Sequence, residues 1–446
     1  MKQYDFTEGN IFKQLIRFSW PIMFTNLLQT SYQLIDSLWV GNLLGATALG
    51  AVAVSGTILF TVLSFIIGLN NAALTILSQQ KGKDNETGLK RYLNAFVVIL
   101  TTIAIVLGAI GYFFSEQFLS MLGTPEVMME QANAYLQINF IGILFLFGYN
   151  FISTVLRALG DSKTPVRFVM IAVALNTVLD PIFISVFNWG VEGAAYATVL
   201  SQGVAFLYGL IYILSKKLAP FSMPTLPAKA EVGLILNLGI PSGLQMSVIS
   251  AGSAAIMSVV TGFGGGVVAG FSAAQRLDSL LMLPAHALST AVSSMAGQNI
   301  GVKNWSRVKG IAKYGVLYNF SIMLAIGIVV VFLAEYGVKL FIRDESAVEF
   351  GKTYLQIIAL CYPFLGINFI LNGIVRAAGA MYQVLVLNII SFWVLRYPLT
   401  ALFAMLFGEI GIAIGMGASF VISSVIAIGY YRFGKWREKE LFKKSK

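Results

Sequence analysis

Residues 135–160 read YLQINFIGILFLFGYNFISTVLRALG, and residues 354–379 read YLQIIALCYPFLGINFILNGIVRAAG. Each opens on Tyr-Leu-Gln-Ile, runs through an apolar stretch long enough to cross a bilayer and closes on Arg-Ala-x-Gly, so the chain carries one membrane segment twice. On both sides the correspondence continues without a break in order. Pro21 matches Pro241, Gly50 matches Gly270, and Gln79 to Gly82 in SQQKG matches Gln298 to Gly301 in GQNIG; later, Pro181 matches Pro398 and Gly193 matches Gly411. The spacing is about 220 residues throughout, half of the 446-residue chain.

Composition says what kind of unit is repeated. Hydrophobic residues make up 57% of the chain and charged residues 11%, with a mean hydropathy of +0.79. A soluble domain carries roughly a quarter charged residues, so an aqueous globular protein is excluded. Spans are expected at 11–44, 46–78, 92–115, 134–157, 165–187 and 191–214, then at 232–262, 266–299, 312–334, 353–376, 381–407 and 410–431. The apolar stretch after MKQYDFTEGN is long, contains Pro21 and lacks a small-residue cleavage site, so it reads as a first span rather than a removable signal. The expected fold is an all-α polytopic membrane protein. Twelve transmembrane helices form two six-helix bundles, and the even number per half gives parallel repeats about a pseudo-two-fold axis along the membrane normal. The expected domains are an N-terminal lobe at 1–214, a cytoplasmic linker at 215–230 that holds Pro220, Pro224 and Pro227, a C-terminal lobe at 231–431 and a basic tail at 432–446.

Charge sets the topology. Of the 30 Lys and Arg residues, 25 fall on the side that holds both termini, three fall on the other (Lys339, Arg343, Lys352) and two lie inside spans (Arg276, Arg396). That is the positive-inside pattern, and it places both termini in the cytoplasm of a bacterial cytoplasmic (inner) membrane. The net charge of +10 is therefore a topology signal, and nucleic acid is not an expected partner. The tail from Arg432 onward can also touch anionic lipid. One Cys (Cys361) and one His (His286) supply neither a disulfide framework nor a structural metal site, and no nucleophile–base motif is visible, so no enzyme and no cofactor are expected.

Away from the loops, the spans contain three carboxylates: Asp36, Asp180 and Asp278. A charge at bilayer depth costs at least ~2.5 kcal/mol, which makes each a candidate functional residue; helix-gluing pairs are the plain alternative. Asp36 lies eight residues before Leu44 and Asp180 eight before Asn188, so both sit about 12 Å inside the outer boundary. One turn deeper, on the same faces, come Tyr32 and Asn176. Asn150 falls at a comparable depth on the fourth span, and Thr198 begins the sixth. Such oxygens suit a hard cation, and buried neighbouring carboxyls suit a proton because burial disfavours the charged form. Pro181 weakens the fifth helix beside Asp180 and is a candidate hinge. The repeat supplies a control, since Asp36 aligns with Ile256 and Asp180 with Tyr397: the acidic pair belongs to the first half alone. Asp278 and Arg276, two residues apart, point to different helix faces; they belong either to a structural charge network, with Arg396 as a partner, or to a secondary substrate site. His286, and Met246, Met257 and Met282, read as packing residues.

The opening FSWPIMFTNLLQTSYQLIDSLWVG, the GQNIG turn, the LRALGDSKTP loop and the NTVLDPIF segment together resemble the multidrug and toxic compound extrusion (MATE) transporters, in their DinF-like bacterial branch. The resemblance covers nearly the whole chain. It implies two six-helix bundles around a V-shaped cleft, export of cationic or amphipathic drugs and toxic compounds in exchange for H⁺ or Na⁺, and a monomer in the bilayer. It also implies a first-lobe cation site at Asp36, Asn176, Asp180 and Thr198, with Tyr32 and Asn150 in the surrounding polar network. The sodium-coupled NorM-like branch places acids in its seventh and tenth spans; here SGLQMSVISAGSA and PFLGINFILNGIVR carry none, so no second-lobe sodium site of that kind is expected. A flippase for a lipid-linked precursor is the alternative transport reading, with only Arg276 and Arg396 available for a diphosphate; a channel would need neither asymmetric acids nor alternating access.

Overall fold

In the computed structural model, which describes residues 3–442, every regular element is helical. The first half consists of α1 (Ile11–Leu44), α2 (Ala46–Gly82), α3 (Glu86–Phe113), α4 (Ser115–Met121), α5 (Glu126–Ile141), α6 (Ile143–Ala158), α7 (Thr164–Pro181) and α8 (Gly190–Ser215). The second half consists of α9 (Lys229–Thr261), α10 (Gly265–Leu281), α11 (Leu283–Gly301), α12 (Trp305–Lys339), α13 (Glu345–Ala359), α14 (Tyr362–Ala377), α15 (Met381–Ile389), α16 (Tyr397–Phe407) and α17 (Ile410–Phe433), with α10 and α11 together standing where the first half has α2. Among the described residues nine helical segments are long and apolar enough to cross a membrane, and two bent pairs raise the number to eleven. The remaining expected span is α1, which is 34 residues long but is diluted by the polar run around Gln29, Tyr32 and Asp36.

The repeat is visible in the turns as well as the helices. Asn85 caps α3 by accepting from Gly88 N at 3.0 Å, and Asn304 caps α12 by accepting from Arg307 N at 3.2 Å. Each is preceded by a residue of positive φ, Asp84 at 51° and Lys303 at 56°. Gly160 and Gly379, the glycines that close the two quoted segments, have φ of 88° and 85°, a left-handed turn that any side chain would strain.

Two features of the helices themselves bear on the site. The fourth and tenth spans, each expected as one helix, are bent pairs: α5 meets α6 at 51° and α13 meets α14 at 54°. Pro363 explains the second bend, since proline favours the first turn of a new helix. At the first bend, Gly142 lets Val199 pack where a Cβ would stand, 2.5 Å from its methyl groups. The fifth and eleventh spans each contain a π-helical turn, at Ile182–Val186 directly after Pro181 and at Ile390–Arg396 directly before Tyr397 and Pro398. A proline removes one ladder hydrogen bond, and a widened turn beside it accommodates the loss.

The chain divides into two compact units. One comprises Phe24–Asn237 with the residues through Tyr4; the other comprises Asp5–Met23 with the chain from Leu238 onward. Hydrogen bonds explain why residues 5–23 group with the second unit. Arg307 donates to the carbonyls of Phe6, Glu8 and Gly9 and to Gln14 Oε1, while in the GQNIG turn Gln298 accepts from Phe6 N and Asn299 donates to Phe6 O.

Candidate functional site

The first unit brings α1, α5, α7 and α8 together around the acids. Asp36 from α1 and Asp180 from the last turn of α7 are 7% and 0% exposed, and their carboxyl groups lie within hydrogen-bonding reach of each other. Asn176, one turn earlier on α7 and wholly buried, donates through Nδ2 to Asp180 Oδ1 at 3.0 Å. From α8, the buried Thr198 hydroxyl faces the Tyr32 phenol of α1, though neither oxygen completes a well-formed hydrogen bond. Five buried oxygens of the cluster consequently have no partner: Tyr32 OH, Asp36 Oδ1, Asn176 Oδ1, Asp180 Oδ2 and Thr198 Oγ1.

That inventory has a direct chemical meaning. Two carboxylates in contact inside an apolar medium repel strongly, so the arrangement requires a shared proton or a bound cation, and the pair titrates as one unit. Unpartnered buried oxygens are costly singly, and these five, on neighbouring side chains, are of the kind that suits a hard monovalent cation or a proton held between carboxyls. An apolar cluster that includes Val40, Val52, Ile138, Ile184 and Val191 packs around Tyr135, one turn outward from Asp36 and Asp180 along α1 and α7. It keeps the site dry from that side.

The remaining expected residues divide. Pro181 ends α7 and leads into the π-helical turn, immediately beside Asp180. Asn150 turns its amide nitrogen to its own helix, donating to Leu146 O at 2.8 Å. Arg276 does not meet Asp278; its guanidinium lies over the Phe341 ring, 5.9 Å from the centroid. Asp278 instead accepts from Tyr362 OH and lies within reach of Tyr354. Arg396 is buried between the rings of Phe392 and Phe420, at 3.8 and 4.6 Å, with its Nε on Ser419 Oγ at 3.3 Å. His286 packs against Phe369, centroids 4.6 Å apart.

Three polar residues join the first-unit cluster that the charged-residue reading passed over. Tyr135 is buried within electrostatic reach of Asp36, Asp180 and Tyr32. Tyr149, also buried, pairs with Gln29 and lies near Tyr32. The signal for Tyr135 was present in the recurrence of Tyr-Leu-Gln-Ile at 135 and 354, which preserves a phenol in both halves.

The MatE family model matches this chain twice, at residues 21–182 and 241–402. The chain belongs to the MatE family. The two matched segments are offset by the spacing of the internal repeat, and the first of them contains Asp36, Asn176 and Asp180 of this MatE protein. It is similar to the "Probable multidrug resistance protein YpnP" of Bacillus subtilis (strain 168), 63% identical over 442 residues that cover 99% of both chains. It is also similar to the "Multidrug export protein MepA" of Staphylococcus haemolyticus, 25% identical and covering 84% of this chain and 83% of that one. Among solved structures, "a multidrug resistance MATE family transporter of the MOP superfamily" in an outward-facing conformation superposes with a TM-score of 0.92, at 22% identity, over 99% of this chain and all of the other. At that identity the likeness is one of fold, and it establishes the two-lobed helical architecture for this MatE protein.

Proposed function

We propose that this protein is a secondary antiporter that exports cationic or amphipathic organic compounds in exchange for H⁺ or Na⁺, and that Asp36 and Asp180 hold the coupling ion. The observation that carries the reading is the facing carboxyl pair with five unpartnered oxygens, buried in one unit only. The names of the relatives support the substrate class, since YpnP and MepA are described as multidrug resistance and export proteins. In this reading the protein works as a monomer in the cytoplasmic membrane, and the distribution of Lys and Arg supports both termini being inside.

Asp36, Asp180, Asn176 and Thr198 bind the ion, and the π-helical turn after Pro181 is the place where α7 bends as occupancy changes. Coupling demands that the ion prefer one arrangement of the carboxyls, because a ligand of equal affinity for both states shifts nothing. Each charge that crosses 100 mV supplies about 2.3 kcal/mol toward export. The test is efflux of a cationic dye from proteoliposomes under proton and sodium gradients imposed one at a time. Wild type responds to at least one gradient, and Asp36→Asn and Asp180→Asn, present in the bilayer at normal amounts, lose that response at least tenfold. Gradient-driven efflux at the wild-type rate in both variants refutes the assignment.

A further inference from the structure

Asp278 is the one intramembrane carboxyl that the proposal above leaves unused. It sits on α10, one turn before the break at Met282. Among the described residues no Lys, Arg or His forms an ion pair with it. The groups around it are phenols. Tyr362, the first residue of α14, donates its O–H to Asp278 Oδ1. Tyr354 of α13 lies within reach of the same carboxyl and of Gln275. Tyr354 donates its own O–H elsewhere, to Met416 Sδ at 3.5 Å. A phenol hydrogen rotates freely, so Tyr354 can donate to Met416 Sδ or to the carboxyl, and a carboxyl at bilayer depth with no cation beside it favours its neutral, protonated form.

The repeat gives an independent reason to read this as a site. Tyr135 and Tyr354 are the same residue of the duplicated Tyr-Leu-Gln-Ile segment, and both are buried. In the first unit that tyrosine confronts Asp36 and Asp180; in the second it confronts Asp278. The acids are not equivalent by position. With Gly50 aligned on Gly270, Asp278 falls opposite Ile58, just as Asp36 falls opposite Ile256. Each unit therefore presents its own acid to the shared tyrosine.

We propose that Asp278 is a second exchangeable-proton site, confined to the second unit and held between the phenols of Tyr362 and Tyr354. Its ligand is a proton and not a metal ion. One carboxyl and two phenols, with the Gln275 amide beyond Tyr354 and no second carboxylate, supply too few acceptors to replace the hydration of Na⁺. When the proton leaves, Tyr354 swings its O–H from Met416 Sδ to the carboxylate, so the carboxylate keeps two phenol donors in place of one. The other charged or titratable neighbours are already engaged: Arg276 over Phe341, Arg396 between two phenylalanines, His286 against Phe369, the Cys361 thiol toward Ile357 O, and Glu335 of α12 with Lys339 and Lys352.

Only its place in the exchange cycle rests on the antiport reading; proton occupancy stands apart from it. The experiment is pH-difference infrared spectroscopy of the full chain in vesicles, comparing wild type, Asp36→Asn/Asp180→Asn, Asp278→Asn and Tyr354→Phe. A protonated-carboxyl band should survive in the Asp36→Asn/Asp180→Asn protein, vanish in Asp278→Asn and shift in Tyr354→Phe, which folds with one hydroxyl fewer. A band set identical in Asp278→Asn and wild type overturns the site. An unshifted Asp278 band in Tyr354→Phe overturns the part given to Tyr354. In the same vesicles, protons exchanged per tetraphenylphosphonium moved should fall by one in Asp278→Asn, and an unchanged ratio overturns its part in the cycle. Absence of tetraphenylphosphonium movement under either a proton or a sodium gradient in the wild type would instead sink the antiport reading, while leaving the infrared result to decide the site.

Discussion

The two halves of this MatE protein share turns, caps and a buried tyrosine, yet they place their acids on different helices. In the first unit the acids come from α1 and α7 and meet each other; in the second a single acid comes from α10 and meets only phenols. Where the first unit has Asp36 the second has Ile256, 3% exposed and packed in an apolar cluster with Val260, Phe271 and Tyr354. Duplication thus preserved the scaffold, whereas charge was assigned to each copy separately. Under the proposed antiport, that separation lets two unlike sites respond differently to the same ion.

The sharpest way to break the comparison is to give the second unit the acid of the first. Ile256→Asp places a carboxyl among buried aliphatic and aromatic side chains with no amide or hydroxyl counterpart to Asn176 and Thr198. A carboxylate at such depth costs about 3 kcal/mol or more. The expected outcome is a large fall in the thermal midpoint of the purified protein, or loss of the protein from the membrane, with Ile256→Val as the near-neutral control. If Ile256→Asp were as stable as wild type, position 256 would be equivalent to position 36, and the asymmetry argued here would disappear.

Much of this asymmetry was readable from residues alone, because a carboxylate in an apolar helix stands out and because the repeat aligns each acid with an apolar residue. Helix pitch fixes which residues share a face, and Asn176 donates to Asp180 one turn on along α7 as that spacing implies. Asn150 shares the depth but not the direction: its amide returns to Leu146 O, a choice that spacing does not reveal. Tyr135, Tyr149 and Tyr354 were missed as site residues because an uncharged phenol on an apolar helix carries the same pattern whether it packs or donates. The bend at Gly142 was hidden for a similar reason. No proline marks it, and the close approach of Val199 is a tertiary fact. The grouping of Asp5–Met23 with the second unit depends on Arg307, a residue some 300 positions away that carried no motif.

A second, smaller test uses the glycines at equivalent positions of α2 and α10. A Cβ at Gly270 would stand 2.3 Å from the backbone oxygen of Ala347, which cannot move without shifting the first turn of α13. A Cβ at Gly50 would stand 2.7 Å from Met128 Cε, the free end of a flexible side chain. Gly270→Ala should therefore cost about 1–3 kcal/mol, and Gly50→Ala less than about 1 kcal/mol. Thermal midpoints of the two variants, measured side by side, check the order. Equal losses would mean that the α10–α13 contact yields as easily as the α2–α5 contact.

The smallest effect lies at the neighbouring turn, where the halves start the equivalent helix by different means. Asp344 caps α13, accepting from Ala347 N at 2.9 Å and from Ser346 Oγ at 2.6 Å. Those hydrogen bonds hold its carboxyl below the ordinary carboxylate range, the Ser346 contact first. The corresponding helix α5 begins after Pro125, which offers no side-chain bond. Because the folded carboxyl titrates lower than the unfolded one, its contribution is complete above about pH 4 and is lost as pH falls through the folded value. Hydrogen–deuterium exchange, corrected for intrinsic rates, should show the first turn of α13 fraying on acidification while the first turn of α5 does not respond. Asp344→Asn keeps an acceptor and should remove the acid response; Asp344→Ala should leave the turn frayed at every pH, with only a minor change in the overall midpoint. Acid-dependent fraying that persisted in Asp344→Asn would assign the response to another carboxylate, with Glu345 and Glu349 of the same helix the next to test.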